Sequence, residues 1–271
     1  MEQSSEAIRG LGSGEENIDR YCQGGLHPVC LHDTFKNGRY EVVHKLGWGR
    51  SSTIWLATDL NHRRDAFVAL KIFTASSSAN LSAAREVAML KSFQNRWYIL
   101  APKFYKAFVH KGPNGSHICL ITDFAGPSLQ HLITKYRDRD YRLPLDVILR
   151  LSRQLIVATM NLHEAGIAHG NLSATKVVFR APQLSNRKAI LDIIGMPETK
   201  ETFKPDGSPP GPHLPSQSVA TARWRSWNDE FNEIISFLDF GASFKFAVVP
   251  GTLKNPCSLR VPEMVFAGET D

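Results

Sequence analysis

The chain has 271 residues and a mass of 30.3 kDa, and its 42% hydrophobic and 21% charged residues exclude a disordered acidic segment. No stretch approaches the roughly 18 consecutive apolar residues of a membrane helix, and the opening MEQSSEAIRG lacks the basic-then-apolar pattern of a secretory signal. The net charge of +6, from 32 basic and 26 acidic residues, is scattered, so neither direct nucleic-acid binding nor a membrane partner is expected.

Cys22, Cys30, Cys119 and Cys257 lie far apart without a CxxC pair, which predicts reduced thiols and a cytoplasmic or nuclear setting. Residues 1–20 are rich in Ser, Gly and Glu and read as a flexible leader. Short β-prone runs follow at 40–43, 52–57 and 66–73, the last reading AFVALKIF. A helix is predicted over 81–93, where Leu81, Ala84, Val87, Ala88 and Leu90 recur near a period of 3.6. Residues 118–124 form another strand candidate, and Ala125-Gly126-Pro127-Ser128 breaks it.

Beyond that break the pattern is helical. Alternating charges over 135–142 read as a solvated segment. Leu145, Ile148, Leu149, Ser152, Leu155, Ile156, Thr159 and Leu162 form one apolar stripe. Residues 183–228 are polar and rich in Pro and Gly, an insert expected to hold little regular structure, with Trp224 and Trp227 packing it on the main body. The hydrophobic pattern resumes at Ile234. A strand-rich half preceding a helix-rich half makes the fold class α+β.

Chemistry concentrates in a few places. Leu46-Gly47-Trp48-Gly49, continuing to Ser52 and Ile54, fits a glycine-rich turn between strands, where backbone N–H groups can approach phosphate oxygens. Seventeen residues after Ile54, Lys71 stands in the apolar run Val68-Ala69-Leu70-Lys71. A buried ammonium needs a partner, and Glu86 on the next helix is the candidate. Asp239-Phe240-Gly241 supplies a carboxylate suited to Mg²⁺, and Arg260-Val261-Pro262-Glu263 follows it. In this order the elements resemble the protein kinases, which implies a bilobal kinase-like fold: an N-lobe over 21–124 and a C-lobe over 125–271 carrying the insert at 183–228.

The run Gly24-Gly25-Leu26-His27-Pro28-Val29, then Gly38-Arg39-Tyr40 and Leu46-Gly47-Trp48-Gly49, resembles the SR-protein kinases, in particular their divergent fungal members. That resemblance implies ATP and Mg²⁺ as cofactors and arginine/serine-rich splicing factors as protein substrates. It also implies roles by position. Leu46, Gly47, Gly49 and Ser52 would cover the nucleotide, with Ile54 and Ala69 as the roof over adenine and Val178 as the floor. Asp123 and Phe124 would supply hinge hydrogen bonds beside a Thr122 gatekeeper. Lys71, paired with Glu86, would hold phosphates and Asp239 the metal, while Leu90, Phe240 and His169 would stack as a spine.

Two departures qualify this. In His169-Gly170-Asn171-Leu172, Asn171 stands where the family has its catalytic aspartate, and Lys176, five positions later, where it has a metal-binding asparagine. An amide cannot act as a general base, so catalysis is expected to be much reduced, and Lys176 brings positive charge but cannot coordinate a metal. Only eight residues follow Glu263, so the helical lobe is expected to be incomplete, as in a C-terminally truncated kinase. The residues leave three readings: a weak SR-type serine/threonine kinase, a pseudokinase acting as a binding module, and a small-molecule phosphotransferase with its H-G-D loop altered to His169-Gly170-Asn171.

Overall fold

A computed structural model of the chain describes residues 15–61, 66–80, 82–96, 99–181, 186–203, 207–225, 227 and 234–248. The chain divides into two compact units, one of Met1–Ala83, Tyr105–Phe124 and Gln183–Trp227, the other of Ala84–Phe104, Ala125–Pro182 and Asn228–Asp271. The 260–263 motif, Leu81, Cys257 and Lys204–Asp206 lie outside the described residues.

The first unit is built on a six-stranded sheet of order β1-β2-β3-β4-β6-β5. Its strands are β1 (Thr34–Phe35), β2 (Tyr40–Gly49), β3 (Ser52–Asp59), β4 (Ala66–Phe73), β5 (Phe104–Gly112) and β6 (Gly115–Asp123). Alternation sorts the side chains onto two faces. Val42, Trp55, Ala57, Val68, Leu70, Ile72, Cys119 and Ile121 form a buried cluster with Val29, Phe35 and Tyr40. Burial also pushes the Cys119 thiol up to about 12, so it is a packing group and not a nucleophile. A short helix, α1 (Ala75–Ala79), follows β4 and is capped by Thr74.

The leader expected over 1–20 is ordered in its described part. Ile18–Arg20 forms a 3-10 turn whose Asn17 side chain accepts from Asp19 N at 2.9 Å. Glu15 and Glu16 then reach Lys45, whose side chain is only 1% exposed: Glu15 Oε2 lies 2.8 Å from Nζ, and Glu16 bonds the same ammonium. Charge pairing, invisible to a search for apolar periodicity, orders this segment.

The insert carries regular structure, contrary to expectation. Helix α5 (Arg187–Ile194) starts at Asn186, whose Oδ1 accepts from Ala189 N at 2.7 Å, and ends at Gly195. Strands β10 (Thr199–Glu201) and β11 (Gln217–Val219) pair antiparallel. Ile190, Ile194 and Ala222 join Val43 and Leu56 in a second buried cluster, with Leu46, Phe67, Phe124 and Trp224 packed against it. The insert therefore belongs to the sheet-bearing unit, not to the helical one. Hydrophobic burial of α5 outweighs the Pro and Gly content of its neighbours. Trp224 stacks on Phe124 at 5.7 Å and meets Trp227 edge-on, consistent with the packing role expected for both.

The second unit holds α2 (Ser82–Ser92) from Ala84 onward, then β7 (Ala125–Ser128), α3 (Leu129–Arg137), α4 (Leu145–Glu164), β8 (Ile167–Ala168), β9 (Val177–Arg180), β12 (Ile235–Phe237) and β13 (Phe244–Lys245). Strands β12, β9 and β7 make one antiparallel sheet, and β13 pairs with β8. On α4 the buried residues are Leu151, Ala158 and Leu162, while Leu145, Leu149 and Ile156 of the expected stripe are exposed. The helix is apolar on more than one side, and among the described elements it packs chiefly on β8 and β12. Gln154 Oε1 accepts from Ile235 N at 3.1 Å and fixes that side. Among the described residues no helix is long and apolar enough to cross a membrane.

Two stability predictions follow from the first unit. Replacing Lys45 by Met leaves Glu15 and Glu16 without their shared cation, so urea denaturation should show a loss of about 3–5 kcal/mol. His27 packs against His110 and His117 at ring separations of 4.7 and 5.0 Å, and burial, aided by those neighbours, lowers its pKa from 6.5 to about 3. Unfolded chains take up a proton at His27 near pH 6.5 while folded ones do not, so stability present above pH 6.5 is lost as pH falls toward 3. The urea midpoint should drop between pH 7 and pH 5, and His27→Phe should flatten that slope.

Candidate active site

In the first unit, β2 and β3 close a hairpin in which Gly49 pairs with Ser52 and Gly47 with Ile54. A Cβ added at Gly47 or Gly49 would meet nothing within 4 Å, so the backbone there is open to a ligand. The tip is held from the side by Arg20, which donates to Gly49 O at 2.9 Å and Arg50 O at 2.6 Å and lies over the Trp48 ring. Lys45, just before the glycines, is the buried ammonium held by Glu15 and Glu16.

Cross-strand pairing places four of the expected residues, Ile54, Ala69, Lys71 and Thr122, on one sheet face. Ile54 pairs with Lys71, Leu56 with Ala69, Ala69 with Thr122 and Lys71 with Leu120. Directly opposed residues share a face, so Ile54, Ala69, Lys71 and Thr122 present together, while Leu70 and Ile72 point into the core. Lys71 Nζ lies 4.8 Å from the centroid of the Phe73 ring, and Thr122 Oγ1 donates to Asp123 O at 3.2 Å. Leu46 is partly buried against the cluster formed with α5.

In the second unit Glu86 is buried on α2, and Val178 is buried on β9 between Ser128 and Ser236. The loop after β8 is fixed by its neighbours. His169 Nε2 donates to Leu238 O at 2.9 Å, and its ring packs against Phe237 and Phe240. Burial lowers its pKa, so the imidazole is neutral and its buried Nδ1 has no hydrogen-bond partner. Phe240 in turn meets Phe93 edge-on at 5.0 Å. Phe93, just past the end of α2, is thus a spine neighbour that the sequence pattern did not single out.

Asp239 adopts a left-handed backbone conformation, φ 65° and ψ 63°, uncommon for a non-glycine residue. The strain is held by anchors on both sides: Leu238 N donates to Lys176 O at 2.8 Å, and Ser243 Oγ donates to Phe240 O at 2.5 Å. The result directs the Asp239 carboxylate at Lys176, with Nζ 3.3 Å from Oδ2.

The two catalytic-loop departures therefore differ in consequence. Asn171 sits in the bend after Gly170, where its amide can donate and accept hydrogen bonds but cannot take a proton near neutral pH. Lys176 touches the aspartate expected to hold Mg²⁺. An ammonium offers only donors, so the second ligand position cannot bind a cation, and the first already faces a positive charge. This donor set does not fit a protein-held divalent ion.

No family model matches the chain. It is 35% identical over 172 residues to protein kinase dsk1 of Schizosaccharomyces pombe, covering 60% of this chain and 30% of that protein. It is 33% identical over 175 residues to the serine/threonine-protein kinase SKY1 of Saccharomyces cerevisiae, covering 60% of this chain and 23% of the relative. With human SRSF protein kinase 3 it shares 33% identity over 179 residues, 62% of this chain and 30% of the relative. The chain thus spans less than a third of the length of these curated relatives. A solved kinase-domain structure superposes with a TM-score of 0.60 at 19% identity, covering 89% of this chain and 63% of the other. The fold is the α+β protein-kinase fold, and the resemblance read from the sequence holds.

Gly170 offers a direct check on the loop geometry. Its φ is 72°, and an added Cβ would lie 2.3 Å from Ala242 O, a backbone atom that cannot move aside cheaply. Gly170→Ala should cost roughly 2–5 kcal/mol in urea denaturation, from left-handed strain and overpacking together. Gly47→Ala, in open space and without a left-handed backbone, should be neutral or stabilising by up to about 1 kcal/mol.

Proposed function

We propose that this chain, a protein of kinase fold related in sequence to the SR-protein kinases, binds ATP and transfers its terminal phosphoryl group to serine or threonine of a protein at a strongly reduced rate. The relatives carry the names of protein kinases, and two of the three are named for serine/threonine or splicing-factor kinase activity. Arginine/serine-rich splicing factors in the nucleus or cytoplasm are the corresponding substrate class. The observation that carries the rate reduction is Asn171 at the base position.

In this reaction the substrate hydroxyl oxygen forms a bond to the terminal phosphorus as the bond to the bridging oxygen breaks, and the hydroxyl proton must leave. Asn171 can orient the hydroxyl through its amide oxygen but cannot accept that proton, a loss worth about 10²–10⁴ in rate. In the proposed site the glycine hairpin covers the phosphates, Ile54 and Ala69 lie against the base, and Asp123 supplies hinge hydrogen bonds. Lys71 neutralises phosphate charge. A second reading is favoured by Asn171 and Lys176 together: nucleotide occupancy without turnover, the output being contact with a protein partner.

Phosphoryl transfer to an arginine/serine peptide should be at least about 10²-fold slower than the roughly 1–100 s⁻¹ of ordinary kinases. Asn171→Asp, combined with Lys176→Asn, should recover a measurable part of it. Ordinary turnover by the unaltered chain would overturn the assignment of Asn171. Independently, ATP near 100 times its Kd should stabilise the fold by about 2.7 kcal/mol, read as a rise in Tm, and Lys71→Ala should reduce that rise. A chain whose Tm ignores saturating ATP would refute nucleotide binding.

A further inference from the structure

We infer that Lys176 is a built-in replacement for the divalent cation, so that the triphosphate is held through an ammonium docked on Asp239 and its binding does not depend on magnesium. The inference rests on the nucleotide reading above and specifies how that site meets the phosphate charge.

Lys176 is placed for this role by its own backbone. Its N–H donates to Ser173 O at 2.9 Å and its carbonyl accepts from Leu238 N at 2.8 Å, so the side chain leaves from a point fixed on both sides. Asp239 is fixed as well, by the left-handed backbone between Leu238 and the buried Phe240. The ammonium then lies 3.3 Å from Oδ2, with 17% of the lysine side chain and 39% of the aspartate side chain exposed. An ammonium has three protons, so one committed to the carboxylate leaves two able to point at phosphate oxygens. A magnesium ion would do the same work by sharing oxygen ligands from the carboxylate and the phosphates.

Charge then separates the two arrangements. A carboxylate with a divalent ion sums to +1, whereas Asp239 with Lys176 sums to zero. A metal brought to Asp239 must displace the ammonium or sit against it, and like charges at such distances repel strongly. Metal-free ATP should therefore bind at least as well as its magnesium complex. Lys176 is a binding residue here, and its test separates charge from structure.

A fluorescent ATP analogue titrated in EDTA and in excess Mg²⁺ should give Kd values within about threefold of each other for the unaltered chain. Lys176→Gln should weaken EDTA binding about tenfold or more, and Lys176→Arg should retain most of it. Lys176→Asp, which pairs a second carboxylate with Asp239, should bind Mn²⁺ detectably by electron paramagnetic resonance where the unaltered chain does not. Circular dichroism confirms that each variant is folded. Binding by the unaltered chain that is tenfold tighter with Mg²⁺, or Lys176→Gln indistinguishable from it in EDTA, would overturn the inference while leaving nucleotide binding intact. No binding in either buffer would overturn nucleotide binding and this inference together.

Discussion

The contact between Lys176 Nζ and Asp239 Oδ2 joins the start of β9 to the segment after β12, two stretches that the chemistry of a kinase fold requires to cooperate. Its stabilising contribution is small, because half-exposed pairs usually add about 0.2–1 kcal/mol. Its chemical effect is large. A carboxylate that faces a fixed ammonium has its charge answered before any ligand arrives, and the loop around it is built to keep the two groups together. The bond from Leu238 N to Lys176 O, the His169 bond to Leu238 O and the burial of Phe240 against Phe93 all restrain the same few residues.

A second constraint organises the other unit. Lys45 is buried one strand turn before the glycines, and Glu15 answers it while also accepting from Thr221 N at 2.7 Å and Thr221 Oγ1 at 3.0 Å. One carboxylate thus ties the N-terminal segment, β2 and the insert into a single cluster. Ala222 N continues the contact by donating to Lys45 O at 2.9 Å. The glycine hairpin gains its conformational freedom locally but is supported at its base by this desolvated network and at its tip by Arg20.

The sheet face carrying Ile54, Ala69, Lys71 and Thr122, and the spine of His169, Phe240 and Phe93, are packing features that need apolar surface and regular pairing. An amide cannot accept a proton near neutral pH and an ammonium cannot coordinate a metal, and such capacities live in a few polar atoms grafted on the fold.

The sequence by itself determined strands β2, β3, β4 and β6, the glycine hairpin and the identities at the catalytic-loop positions, whereas Ala125–Ser128, expected to break a strand, forms β7 by pairing with β9. Period-2 alternation, turn glycines and the proton chemistry of an amide or ammonium are properties of near neighbours or of single side chains. Only the tertiary structure decided which side of α4 is covered, that α5 packs on Val43 and Leu56, and that Lys45 has its charge partners in Glu15 and Glu16. It also decided that Lys176 points at Asp239. Each of these depends on groups far apart in the chain, 206 residues for Glu15 and Thr221, and distance along a sequence carries no information about desolvation or about which charges will meet.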